Sequence, residues 1–354
     1  MFQFFPPTVW TPGGGEVQLA KTREALQKLG VDAELFDIWR PRRDYDILHV
    51  FGSTYQLSDF VVAAKRLGLR VVVSPIIYSD KPAWKWLAGR AVDRLCPLPT
   101  IYSYRHRIYK HADFLINGSD AEAHQLHRNF GVPYSKMRTI PVGVEARFAD
   151  SNPFLFRTRH DLGDFVLMVG RISRRKGQER LIRALHGTRI PLVFLGQMDP
   201  DDPDYFRDFC DTCTKTEDVH YLGQFPHDSE YLASAYAACK VHALPSVGEF
   251  PGIVSMEAGL AGANVVVGMA APVRQTFSSY AYYCDPRYIP SIRQAVINAY
   301  EAPRSGSLRA HLLRDYTWEY VANKLLEAYE TVLRGDGAAV AMSGQNQRAA
   351  GPEK

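Results

Sequence analysis

The sequence predicts an α/β protein of two domains, each a parallel sheet covered by helices. Short apolar runs of strand length alternate with amphipathic helical patterns along the chain, the mark of successive βαβ units. At 354 residues the chain also exceeds one typical core of ~150 residues. Finally, the alternation stops and restarts: a polar stretch, Glu145–Asp164, broken by Pro153, separates the two halves and reads as a linker.

In the first half the strand candidates are FQFF (2–5), AELFDI (33–38), ILHVF (47–51), RVVVSPI (70–76), FLING (114–118) and MRTIPVG (137–143). Helical patterns lie between them, such as 16–30, where Gly30 makes a C-terminal stop. The second half restarts with FVLMVG (165–170), LVFLG (192–196), VHYLG (219–223), VHALP (241–245), NVVVG (264–268) and YAYYC (280–284). A closing helix over about Thr317–Arg334 places Leu325, Leu326, Tyr329 and Leu333 at helical spacing. The expected division is a domain at 1–148, a second with the closing helix at 149–334, and a tail at 335–354, whose lack of aromatic residues predicts disorder.

With 46% hydrophobic and 23% charged residues the composition is globular. No apolar run approaches the ~18 residues that span a bilayer, and MFQFFPPTVW lacks a signal peptide's charged start. Five scattered cysteines suit a reducing compartment, so a cytoplasmic protein is expected. The net charge of +4 is unevenly spread: residues 1–150 hold 20 Lys/Arg against 15 Asp/Glu, and the remainder 22 against 23.

Two acids carry the strongest functional signal. Glu249 and Glu257 flank a Phe250-Pro251-Gly252 turn in PSVGEFPGIVSMEAGLAG. The glycine lets backbone amides approach a ligand, and a helix start behind it offers N–H donors to an anion. Such a site suits a ligand that is anionic in the middle and hydroxyl-rich at both ends, as a nucleotide-sugar is. Solvated acids decorating a helix start would produce the same letters.

The second half opens with FVLMVGRISRRKGQERLIRAL, a buried strand running into a glycine turn, Arg171, Lys176 and an amphipathic helix. Ligands of open α/β sheets bind at the carboxyl ends of strands, so Arg171 and Lys176 are placed to meet a pyrophosphate. Arg174 and Arg175 between them read as solvated. Near the start, Gly13–Gly15 precede a helix and would let backbone N–H groups close on a phosphate, although neither a Walker A nor a full dinucleotide fingerprint is present.

Residues 81–110 hold seven Lys/Arg and a single acid, Asp93. Trp84, Trp86, Leu87, Tyr102 and Tyr104 alternate with Lys81, Lys85, Arg90, Arg94, Arg105 and Arg107. The pattern suits an anionic membrane surface, and equally a solvated basic face with its aromatics in the core. No nucleic-acid-binding module is visible. Asp199-Pro200-Asp201 and Cys210-x-x-Cys213 are read as incidental, so no metal is expected.

Taken together, GGGEVQLA, NGSDAEA, IPVGVEARF, VGRISRRKGQERLIRAL, YLGQF, PSVGEFPGIVSMEAGLAGANVVV and YTWEYVANKLLEAYE resemble the retaining glycosyltransferases of family 4 nearly to residue 334. The resemblance implies two Rossmann-like domains facing a cleft, the GT-B architecture. It implies a metal-independent transfer from a nucleoside-diphosphate sugar, the co-substrate in place of any cofactor, to a glycan or lipid-linked acceptor. A catalytically silent sugar-nucleotide-binding protein of the same architecture is the alternative. Arg171 and Lys176 would neutralise the leaving diphosphate and Glu257 would accept from the ribose hydroxyls. Glu249, with the backbone of Phe250, Pro251, Gly252, Ile253 and Val254, would hold the donor sugar. Gly14 and Gly15 would meet the phosphate or sugar from the first domain. Two departures stand out: the region VVVSPIIYSD lacks the histidine such enzymes often carry there, leaving Ser74, Tyr78 or Asp80 as substitutes, and Val142 stands where asparagine is common. His49 reads as a satisfied core histidine. The expected location is cytoplasmic, peripheral at the inner membrane face.

Overall fold

The computed structural model describes residues 1–2, 13–79, 82–95 and 98–335, and the chain forms two compact units, Met1–Gly143 with the segment from Trp318, and Val144–Thr317.

The first unit is built on four parallel strands, β1 Leu48–Phe51, β2 Val71–Ser74, β3 Phe114–Asn117 and β4 Met137–Thr139, adjacent in that order. The first three are buried at every residue, which is why they read as continuous apolar runs and not as alternating ones. Phe2 adds an isolated parallel bridge to Val50, and the rest of FQFF lies outside the described residues. The expected strand at 33–38 does not form. Its Phe36 N–H bonds the Met1 carbonyl at 2.8 Å, but the Asp37 carboxylate accepts the Trp39 N–H at 2.8 Å, a local turn that ends the extended run.

The closing helix, Trp318–Arg334, expected with the second domain, belongs to the first unit. It packs along the helix Gly14–Lys28. Its Trp318 indole lies so close over Gly143 that a Cβ there would come within 2.4 Å of the ring. Its Tyr329 hydroxyl meets His49 Nδ1 at 2.6 Å, while His49 Nε2 meets Ser74 Oγ at 2.9 Å. His49 is therefore a satisfied core histidine, and burial lowers its pKa to about 3, keeping it neutral.

The second unit holds six parallel strands, β5 Val166–Val169, β6 Leu192–Leu195, β7 Val219–Tyr221, β8 Val241–Leu244, β9 Asn264–Gly268 and β10 Tyr282–Cys284, in the spatial order β10-β9-β8-β5-β6-β7. The chain works outward from β5 to β7, then returns beside β5 and works outward the other way. The sheet is thus a doubly wound Rossmann sheet whose strand order reverses between β5 and β8, and a crevice forms at the carboxyl ends of strands at such a reversal.

The stretch Glu145–Asp164 is not the loose linker expected from its polarity. Residues Ala146–Asp150 form a 3-10 turn and Phe154–Arg159 a helix, and Phe148 and Phe156 are 0% exposed within the second unit's core. Polar residues on the outer face masked two aromatic anchors, and the units divide at Gly143/Val144, five residues before the expected boundary at 148/149. Among the described residues no helix is long and apolar enough to cross a membrane. The tail beyond Gly335 lies outside the described residues.

Because Phe156 is fully buried and its N–H bonds Ser234 Oγ at 2.9 Å, Phe156→Ala should cost about 3–5 kcal/mol, measured by urea denaturation. A true linker residue would cost almost nothing.

Candidate active site

The loops that leave β5 and β8 meet at the reversal point. Val247 N–H bonds the Arg175 carbonyl at 3.0 Å, and the Arg175 and Arg180 guanidiniums reach the carbonyls of Gly248 (3.3 Å) and Pro245 (3.4 Å). Gly177 makes the approach possible. Its φ is +89°, and a Cβ there would lie 2.8 Å from the Pro245 carbonyl oxygen. Gln178, wholly buried, shapes the β5 loop from below by donating to the Arg171 carbonyl at 2.9 Å.

This crossing brings Lys176 and Glu249 together, with Nζ 2.7 Å from Oε2 and each side chain 13% exposed. Burial alone would raise the Glu249 carboxyl, but the Lys176 ammonium against it, helped by Arg175 and Ser246, outweighs burial and holds it below its ordinary 4.5. Directly after Glu249 the chain turns at Gly252, with φ +87°, into the helix Ile253–Leu260, which has no side-chain cap. The amides of Ile253 and Val254 thus form the open start of a helix beside the Lys176–Glu249 pair.

The acids of the loop after β6 serve the basic loop. Asp199 Oδ1 lies 3.9 Å from Arg171 Nη1, and Asp202 Oδ2 accepts from Arg174 Nε at 2.9 Å while capping the helix Pro203–Lys215. No cluster of three metal-binding side chains occurs among the described residues. Arg174 and Arg175 are exposed, as expected of them.

Glu257 is 1% exposed, and both its oxygens already carry protein donors. His227 Nε2 lies 2.6 Å from Oε1 and the Tyr236 hydroxyl donates to Oε2 at 2.8 Å. A carboxylate only accepts, so His227 Nε2 carries the proton. His227 Nδ1 in turn faces Glu145 Oε2 at 3.4 Å, and Arg147 donates to the His227 carbonyl at 2.8 Å. The bond to Glu257 outweighs burial and raises the His227 pKa above its ordinary 6.5. Sequence reasoning missed His227 and Tyr236: they stand 30 and 21 residues from Glu257, and only the loop position of His227, after a sheet strand, hints at a site.

Gly14 and Gly15 form the first turn of Gly14–Lys28 in the other unit, with Gly13 N–H bonding Glu16 Oε2 at 2.7 Å. Ser74 is 3% exposed and turned to His49, and Asp80 lies outside the described residues. The basic stretch splits in two. Trp86 and Tyr102 belong to the first unit's core, packed on Phe130, and Arg107 pairs with Asp59 at 2.7 Å. By contrast, the helix Ala83–Leu95 exposes Trp84, Leu87, Ala88, Ala91, Val92 and Leu95, an apolar stripe on its outer side. Lys81 lies outside the described residues.

Residues 157–312 match the family described as Glycosyl transferases group 1, and residues 33–143 match the Glycosyl transferase 4-like domain. A D-inositol 3-phosphate glycosyltransferase of Kineococcus radiotolerans is 30% identical over 301 residues, covering 76% of this chain and 67% of that protein. Its counterpart in Catenulispora acidiphila is 28% identical over 63% of this chain, which spans only 58% of that relative's length. The chain belongs to the group 1, family 4-like glycosyltransferases. Among solved structures, the Anabaena protein HepE in complex with UDP and glucose superposes with a TM-score of 0.70 at 16% identity, covering 91% of this chain and 97% of that one. Sucrose-phosphate synthase of Thermosynechococcus elongatus gives 0.72 at 19% identity, covering 91% and 94%. These likenesses show the fold, the GT-B class of two Rossmann-like domains.

Lys176→Met should leave Glu249 without its counter-charge, costing stability toward the ~3–5 kcal/mol of a broken buried pair. Adding Glu249→Gln should recover most of that loss in urea denaturation. The Glu249 contribution is present above pH 4.5 and is lost as pH falls through its lowered folded value, so acid should narrow the gap between wild type and Lys176→Met.

Proposed function

We propose that the protein is a retaining glycosyltransferase that moves a sugar from a nucleoside-diphosphate sugar to a glycan or lipid-linked acceptor without a metal. The observation that carries this is the meeting of Lys176, Glu249 and the open helix start at Ile253 at one strand-order reversal, with Arg171 on the same loop after β5. When the sugar–phosphate bond breaks, negative charge builds on the diphosphate. Fixed cations and amides aimed at that place lower the barrier, which is the work a metal does elsewhere. Lys176, held by Glu249 until the donor arrives, and Arg171, beside Asp199, supply the charge. Glu249 then has hydrogen-bonding capacity for a sugar hydroxyl, and Glu257 for the ribose. Retention of configuration rests on the family resemblance.

A sugar-nucleotide-binding protein without activity is the second reading, favoured by Ser74 being buried against His49 where the expected histidine is missing. Turnover separates the two. Arg171→Ala, and Lys176→Ala under conditions where circular dichroism shows it folded, should each lower transfer or donor hydrolysis about 10²–10³-fold, and a chelator should leave the wild type unaffected. Donor binding without hydrolysis or transfer would favour the silent protein.

The acceptor side of the proposal places the protein at the cytoplasmic face of a membrane. Its support is the outer stripe of Ala83–Leu95, where Trp84 is 64% and Leu95 88% exposed, within a segment of strong positive charge. An amphipathic helix of this kind lies in the interface plane, drawn by anionic head groups. Trp84→Ser with Leu87→Ser should abolish sedimentation with anionic vesicles while sparing donor hydrolysis. Equal sedimentation of variant and wild type would move the acceptor to a soluble glycan.

A further inference from the structure

The charged cluster around Glu257 contains more than a ribose acceptor requires. Glu257 sits inside the unit, yet the residue that covers it, His227, is one-third exposed (35%) and is held on both sides. One ring nitrogen faces Glu257 and the other Glu145, with Arg147 fixing the backbone between them. Phe148 meets the imidazole edge to face, with centroids 5.9 Å apart, and lies under the Arg147 guanidinium. The titratable and charged groups facing His227 are therefore Glu257 from the helix Ile253–Leu260, and Glu145 and Arg147 from the turn that follows the unit boundary.

We infer that His227 is a positioning residue of the donor site: clamped between Glu257 and Glu145, it orients the Glu257 carboxylate and sets the local charge met by an incoming nucleotide. This rests on the donor reading above. A carboxylate has about four acceptor positions, and His227 and Tyr236 take one on each oxygen of this 1% exposed group, so a ribose would approach it from the side that His227 covers. Without His227 the carboxylate would be free to rotate about its terminal bond, and the preorganisation would be lost. Protonation matters in the same place. As an imidazolium, His227 separates two carboxylates and adds a positive charge beside an anionic ligand. As a neutral ring it donates only one hydrogen bond and leaves Glu145 and Glu257 a like-charge pair. Because Glu257 raises the His227 pKa, the charged form persists toward neutral pH. Nucleotide affinity should then weaken as pH rises through that value.

Three forms of the full chain test this: wild type, His227→Gln, which keeps an N–H but cannot titrate, and His227→Phe, which loses both. Calorimetry with UDP, GDP and ADP first selects the nucleotide that binds wild type. For that nucleotide, His227→Phe should weaken binding about tenfold, as loss of one charged hydrogen bond implies. His227→Gln should restore most of the affinity and flatten the pH dependence relative to wild type. The ligand's own ionisation cancels in the comparison. Titration of the His227 ring by NMR should give a pKa above 6.5 that falls in Glu257→Gln. If wild type binds a nucleotide but His227→Phe binds it equally well, or if the His227 titration ignores Glu257→Gln, the inference is overturned while the donor reading stands. If none of the three nucleotides binds wild type, the donor reading fails and takes the inference with it.

Discussion

The second unit depends on one close approach, that of the loops leaving β5 and β8. The Lys176–Glu249 pair of the proposed donor site follows from it. The reversal of strand order splays the flanking helices apart and leaves a crevice at the carboxyl ends of the strands. Two backbone segments can then cross only where a side chain is missing, and Gly177 against Pro245 is that place. Once the loops are pinned by Val247, Arg175 and Arg180, Lys176 and Glu249 have little freedom to separate. A pair held this way pays its ordering entropy during folding, so the cation is in place before any ligand arrives.

Electrostatic layering around that crossing has a clear logic. Each basic residue of the β5 loop has a carboxylate or carbonyl beside it: Asp199 by Arg171, Asp202 at Arg174, the Gly248 carbonyl at Arg175 and Glu249 at Lys176. Four cations on one short loop would otherwise repel each other. Of the two acids that resemble a metal motif in the sequence, Asp199 is thus part of the basic loop's own support. Deeper in the unit, Glu257 is satisfied by Tyr236 from the core side and His227 from the solvent side, so this buried charge is hydrogen-bonded on both oxygens.

In the first unit a different constraint applies. Its sheet is narrow, and the closing helix Trp318–Arg334 completes the packing through Trp318 on Gly143 and Tyr329 on His49. Leu326, Tyr329 and Leu333 then line a cavity of about 220 Å³ with Leu26, Phe36 and Leu48. The stretch from 83 onward shows how one amphipathic pattern serves two ends. Trp86 faces inward onto Phe130, whereas Trp84 and Leu87, one turn of helix apart, face outward.

How much of this was legible in the sequence depends on the range of each interaction. Among the described residues, ten strands, the final helix, the basic loop after β5 and the glutamates around Gly252 are local patterns: short runs of strand length, helical periodicity, a glycine between a strand and a helix. Those were readable because the physics that produces them acts within a few residues. What the sequence could not show were facts of long range. The closing helix crosses back to the first unit, and Phe148 and Phe156 sit in the second unit's core despite polar neighbours. Lys176 finds Glu249 across 73 residues, and Glu257 finds His227 across 30. Chain letters carry no record of which distant side chain fills a given space. The sequence by itself therefore determined the class of fold and singled out the residues proposed to meet a diphosphate and hydroxyls. Only the tertiary structure decided which charges are paired, because pairing depends on burial and on the crossing of two loops.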